Sequence, residues 1–389
     1  MISNFEIKPI EENFFYWVHF LAIKLFNNKH YRRIRLFVLI LHSSIICAHI
    51  YFCITVFDTA FLFQYIVGSF GLVASVFFNA SFFVTEKTFT TLENTIYSYF
   101  WSPSSTTKEV QECITRDCKY VTFAVILNTF LGIFAGIVLV PVGEALNHQF
   151  AIFFFRKYLP QVHYLLDVIF LLSFVVAGHV VVNWANVVAY YSYLAIGQVY
   201  LSIEVIKHWS AGYEDQDDDS LFYSTEYQRV VKERIRSSII RHIELLRLFR
   251  IVSGAVRQLL PLLTLGGISM CLSAISFFYF EIFDLLYWRY FQYFVWAISS
   301  LITGTLIIHS GQELEDQTGT LFPMLNEVRW ITFNESNKRC ILLMLTIAQT
   351  PVRLQFSDSL SVNYELGISI VRNVYSFGAI LARVTDFSI

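Results

Sequence analysis

Seven stretches of the chain, 36–57, 61–84, 120–142, 163–186, 259–283, 287–309 and 361–383, each run past twenty residues with few or no charges. As helices rising 1.5 Å per residue, all are long enough to cross a hydrocarbon core of about 30 Å. Within lipid a backbone must satisfy its own hydrogen bonds, which repeated apolar runs of this length do as helices. Charged residues make up 15% of the chain and hydrophobic ones 56%. Soluble domains carry roughly 25% charge, so this surface could not be covered in water. The sequence predicts an all-α polytopic membrane protein, one domain over 1–389, with seven transmembrane helices.

Cations orient the bundle. Of the 28 lysines and arginines, 22 fall in the N-terminal segment and alternate loops, including the basic stretch 226–257. Arg156, Lys157 and Arg289 fall on the other side. The positive-inside rule then places the N-terminus in the cytoplasm and the C-terminus outside, the reverse of a G-protein-coupled receptor. Residues 13–33 mix Phe14, Phe15, Trp17 and Phe20 with Lys24, Lys29, Arg32 and Arg33 and read as an interfacial helix. The fourth span continues as helix to about 206. Segments 207–258 and 311–350 lie on the cytoplasmic side, where 338–350 forms a helix ended by Pro351.

Reactive constellations are not expected. Cys47, Cys53 and Cys271 fall in spans and Cys113, Cys118 and Cys340 in the cytoplasm, with neither a disulfide framework nor zinc-site spacing. His179 and His309 stand alone, as core hydrogen-bonding histidines do. No nucleophile–base pair or phosphate loop is present, so no enzyme, metal or cofactor is predicted. A net charge of −2 without a basic tract suggests no nucleic-acid partner.

Polar residues of the last span recur at Ser361, Glu365, Ser369, Arg372, Asn373, Ser376 and Arg383, three and four apart on one helical face. Ionisable groups within a span face a bundle interior or a watery path. Continued outward, the stripe reaches Ala379 and Ile380, where an apolar ring can close a pore by dewetting. Periodicity leaves two readings open: a passage over 361–385 shared by several copies, or packing through small and polar residues.

With this orientation the outer halves of the spans are rich in aromatics. Phe63, Tyr65 and Phe70 lie in span two, Phe170 and Phe174 in span four, and Tyr287, Tyr290, Phe291, Tyr293 and Phe294 in span six. Span three adds Gly132, Ile133, Gly136, Ile137 and Val140, the glycines leaving room beside the backbone. Such a region suits a small uncharged hydrophobic ligand, although lipid contact or helix packing also accounts for any one of these residues.

The C-terminal third resembles a known family. Gly311-Gln312-Glu313-Leu314 through Leu321-Phe322 and Trp330 are similar to the end of span six in insect odorant receptors. So are Leu342-Leu343-Met344 with Ala348-Gln349-Thr350-Pro351, and Tyr375-Ser376 followed by Ala379-Ile380-Leu381. Ile239-x-x-His242 with Leu245-Leu246 resembles the lead into span five. The match covers roughly residues 235–385. Where gustatory receptors carry Thr-Tyr and Gln-Phe, this chain has Val374-Tyr375 and Arg383-Val384, which favours the odorant branch.

The resemblance implies an odorant-gated, non-selective cation channel. Four subunits, including a co-receptor, would meet at a pore lined by the last helix, with cytoplasmic ends of spans four to seven as the anchor. The constriction would fall at Ile380 and the odorant in the outer half of spans two to six. The chain lacks the co-receptor's long cytoplasmic insertion, which fits a ligand-tuned subunit in the plasma membrane of a sensory dendrite. One departure is the segment before span four, reduced here to Leu159-Pro160.

Overall fold

The computed structural model describes residues 15–56, 59–103, 106–280, 287–357 and 360–386; the side chains of Phe63, Tyr287, Ile380 and Arg383 are among those outside the described residues. The chain enters through α1 (Tyr16–His19), a π turn (Phe20–Lys24) and α2 (Leu25–Asn27). Then α3 (Lys29–Val56), α4 (Thr59–Tyr99) and α5 (Lys108–Val138) cross in turn. Short α6 (Phe150–Tyr158) precedes α7 (His163–Lys207), and α8 (Asp218–Tyr223) precedes α9 (Thr225–Phe280). The remaining elements are α10 (Tyr287–Gly319), α11 (Leu321–Asn326), α12 (Glu335–Ala348), the hairpin β1 (Gln355–Ser357) with β2 (Leu360–Ser361), and α13 (Tyr364–Asp386).

Five helices, α3, α4, α5, α7 and α10, are long and apolar enough to span a membrane outright. In α9 the axis turns by 50° just ahead of Pro261, and its two arms together make a sixth span. Proline has no N–H to give and its ring clashes with the preceding turn, which accounts for the bend. The amphipathic α13 completes seven.

α7 is the axis of the bundle. From His179 to Ile206 nearly every residue is buried, against α5 on one side and α10 on another. The contact with α5 is backbone on backbone. A Cβ on Gly178 would strike the Gly132 carbonyl and lie 3.1 Å from Gly136 Cα, and one on Gly136 would lie 2.9 Å from Val175 Cα. In lipid, helices associate through such close van der Waals packing because burial from water contributes nothing there.

One turn further in, amides take over. Asn128 donates to Asn186 Oδ1 at 2.9 Å and to the Val182 carbonyl at 3.1 Å. Asn186 donates to Thr129 at 2.9 Å, and the Thr303 hydroxyl of α10 donates to Asn128 Oδ1 at 2.8 Å. Asn183 reaches the Ala22 carbonyl in the π turn at 3.0 Å. A π turn displaces carbonyls from the helical ladder, and Asn183 satisfies one of them. The N-terminal segment therefore sinks Val18, Ala22, Ile23 and Phe26 into the core, while Tyr16 and Trp17 stay exposed.

At one end of the bundle the helices run on beyond their apolar stretches, α4 to Tyr99, α7 to Lys207 and α10 to Gly319. Gln228 of α9 holds α12 there. Its amide donates to the Thr332 carbonyl at 2.8 Å and accepts from Asn334 N–H and Asn337 Nδ2 at 2.9 Å. Asn334 caps α12 through Asn337 N–H at 3.0 Å. Arg241 stacks on Trp101, its guanidinium 3.5 Å from the ring centroid.

Candidate ligand-binding cavity

The glycines that let α5 and α7 touch also leave space on their other flank. Between α4, α5, α7, α9 and α10 lies a cavity of about 930 Å³. Gly68, Gly71 and Phe78 of α4, Gly132 and Gly136 of α5, and Phe174, Gly178 and Trp184 of α7 form the back wall. Gln292, Tyr293, Trp296, Ser299 and Thr303 of α10 form one side, and Thr264, Ile268 and Leu272 of α9 the other. The latter three are also exposed, so the cavity opens sideways between α9 and α10. Among the described residues the lining holds no Asp, Glu, Lys or Arg.

Polar groups in the wall are mostly engaged. His42 bonds Ser75 at 3.0 Å and Ser173 at 2.7 Å, bridging α3, α4 and α7 beside the cavity. Gln292 donates to the Val138 carbonyl at 2.6 Å, satisfying the end of α5. His179 and His309 each hydrogen-bond a tyrosine hydroxyl, Tyr31 at 2.6 Å and Tyr364 at 2.8 Å. Such a wall can hold an uncharged, mainly apolar molecule and would disfavour an ionised one, whose hydration nothing replaces.

Of the residues that the sequence placed in the ligand region, Gly132, Gly136, Phe174 and Tyr293 line the cavity. Phe170 is fully buried behind Phe174 in an aromatic cluster with Phe155, and Phe70 and Ile133 are half-buried away from the lining. Ile137, Tyr290, Phe291 and Phe294 are exposed on the outside of the bundle. Phe63 and Tyr287 have side chains outside the described residues. On α10 the residues 292, 293, 296, 299 and 303 line the cavity, while 290, 291 and 294 are exposed on another face. Aromatics are as well suited to lipid as to a pocket, so richness in rings could not choose between the faces. The intramembrane amides Asn128, Asn183 and Asn186 escaped sequence reading, although their polarity within apolar spans was a visible signal. Trp296→Ala is expected to weaken ligand potency by about tenfold, from the loss of a large apolar contact, and Tyr290→Ala to leave dose–response curves in place. Equal shifts in both would put the ligand elsewhere.

The far end of the cavity reaches α13. Leu366 and Ile370 line it, a Cβ on Gly367 would stand 3.3 Å from Ile308 of α10, and Tyr364 N–H bonds Gln312 at 3.1 Å. This narrow strip is how α13 rests on its own bundle. Glu365, Ser369, Arg372, Asn373 and Ser376 lie round the far side of the helix and are exposed, as is Ala379. Val371, Val374 and Tyr375 are exposed too. Ile380 and Arg383 have side chains outside the described residues.

A helical bundle with an internal apolar cavity and an amphipathic last helix defines a polytopic membrane protein with room for an uncharged ligand. A model of the 7tm Odorant receptor family matches residues 63–375. The chain belongs to that family. Its fold is similar to the structure of the insect olfactory receptor OR5 from Machilis hrabei, with a TM-score of 0.69 at 12% identity over 96% of this chain and 97% of that one. The same receptor in complex with eugenol gives a TM-score of 0.63 at the same identity and coverage. No curated protein sequence matches the chain.

Proposed function

We propose that the chain is the ligand-tuned subunit of an odorant-gated, non-selective cation channel. It would assemble with a co-receptor as a heterotetramer in the plasma membrane of olfactory sensory neuron dendrites. One observation carries the reading. The polar stripe of α13 points away from its own bundle, and among the described residues the side chains of Glu365, Ser369, Arg372, Asn373 and Ser376 have no hydrogen-bond partner. Lipid is a poor solvent for Glu365 and Arg372, so water and other subunits around an axis are the partners that fit. Segments 207–258 and 311–350 supply the inter-subunit anchor in this reading, and a small hydrophobic odorant occupies the cavity. Ile380 is the gate, an apolar ring at the outer end of the stripe.

Currents recorded from cells expressing the chain with and without a co-receptor test this directly. Ile380→Ala is expected to raise unliganded current several-fold at equal surface expression. Unchanged basal current would remove Ile380 as the gate, and absence of any current with surface-expressed subunits would remove the channel.

A further inference from the structure

The geometry points to a long-chain, uncharged aliphatic ligand with a single polar end, held lengthwise with that end at Gln149 and its tail against Leu366 and Ile370. This rests on reading the cavity as the odorant site and specifies what the site takes.

Length is the first argument. The lining of α10 runs from Gln292 to Ile307, which at 1.5 Å per residue is about 22 Å. The cavity thus extends through most of the hydrocarbon thickness of about 30 Å. Its volume of about 930 Å³ stands near the top of the range of about 300–1,000 Å³ for drug-sized ligands. A compact volatile would leave much of the apolar wall without contact partners and forfeit their dispersion attraction.

Polarity gives the direction. At the Gln292 end, Gln149 lies against Gly68, where a Cβ would stand 2.8 Å from its Oε1. Glycine at 68 leaves this amide room to lie along the cavity wall. Among the described residues the Gln149 side chain has no hydrogen-bond partner, leaving a donor and an acceptor for a hydroxyl, aldehyde or ester oxygen. Other polar groups nearby are taken, Ser273 by the Val67 carbonyl at 2.9 Å and Gln292 by Val138 at 2.6 Å. At the opposite end the lining turns aliphatic with Ile307, Leu360, Leu366 and Ile370.

Two further features suit a lipid-like molecule. The opening between α9 and α10, at Thr264, Ile268 and Leu272, faces sideways, so a ligand already dissolved in the bilayer has a lateral way in. The tail then ends on α13 itself. A chain long enough to press on Leu366 and Ile370 bears on the helix that rests on its bundle by one strip, whereas a short one binds without reaching it.

Straight-chain primary alcohols from hexanol to hexadecanol provide the test. Thermal stabilisation of the receptor in lipid nanodiscs reports binding, and current in cells with the co-receptor reports activation. Affinity should rise by up to about fourfold per added methylene and then stop at a sharp cut-off length. Ile370→Trp should move that cut-off to shorter chains, with Leu366→Phe as a milder second variant. Gln149→Leu should reduce the preference for an alcohol over the alkane of equal length about tenfold, as expected when a hydrogen bond in an apolar site is lost.

A best ligand at the hexanol end, or a cut-off that neither α13 variant moves, overturns the proposal. So does a co-purified phospholipid whose acyl chain hexadecanol cannot displace. Length-dependent stabilisation without current would overturn the channel reading and leave this one standing. Current evoked by compact volatiles alone would do the opposite.

Discussion

Gly178→Val is expected to cut the amount of folded receptor at the cell surface by about tenfold, the scale on which a few kcal/mol acts on abundance. A Cβ at 178 falls on the Gly132 carbonyl, within 3.1 Å of Gly136 N and Cα. These are backbone atoms, which cannot swing aside as a side chain would. The helices must separate, and overpacking of this kind costs about 1–3 kcal/mol before any knock-on loss. Separation would also strain the amide ladder two turns inward, where Asn128 reaches Asn186 at 2.9 Å. Surface biotinylation with size-exclusion chromatography measures the outcome. Gly197→Ala is the control, since a Cβ there meets nothing within 4 Å. Wild-type surface levels for Gly178→Val would mean that α5 and α7 do not touch.

Asn186→Leu is the second large effect. Its side chain is fully buried and bonds Asn128, Thr129 and Asn183 across two helices. Leucine has similar bulk and removes every one of these bonds, stranding polar partners where water cannot replace it. A stranded group costs about 1–3 kcal/mol, though pairwise bonds between transmembrane helices average nearer 0.6. The unfolding temperature in detergent should fall, and Asn128→Leu should lower it as well. Because both changes break one network, the double variant should lose less than the sum of the two. Strict additivity would show that the amides act separately.

Legibility followed physical rule. Each apolar run marked a helix because lipid leaves the backbone no other solution, and the six described spans through α10 coincide with the runs from 36 to 309. Helix ends were less readable. The continuation of α4 to Tyr99 carries charged and polar residues, and hydropathy registers only the part in lipid, whereas the basic stretch 226–257 already read as helix. The facing of α10 was unreadable for a different reason. Tyr290 and Trp296 have nearly the same chemistry, and only packing against α5 and α7 turns one outward and the other in.

Sequence by itself determined the solvent and the number of crossings, and its lysines and arginines set an expected side for each loop. It also placed the polar stripe of α13, since helical period alone assigns residues three and four apart to one face. Tertiary structure decided the rest: that Gly132, Gly136 and Gly178 meet, that the space beside them is long and apolar, and that Leu366 and Ile370 line its far end. Those are relations between helices distant in the chain, and van der Waals contact at 3–4 Å discriminates between faces that periodicity treats as equal.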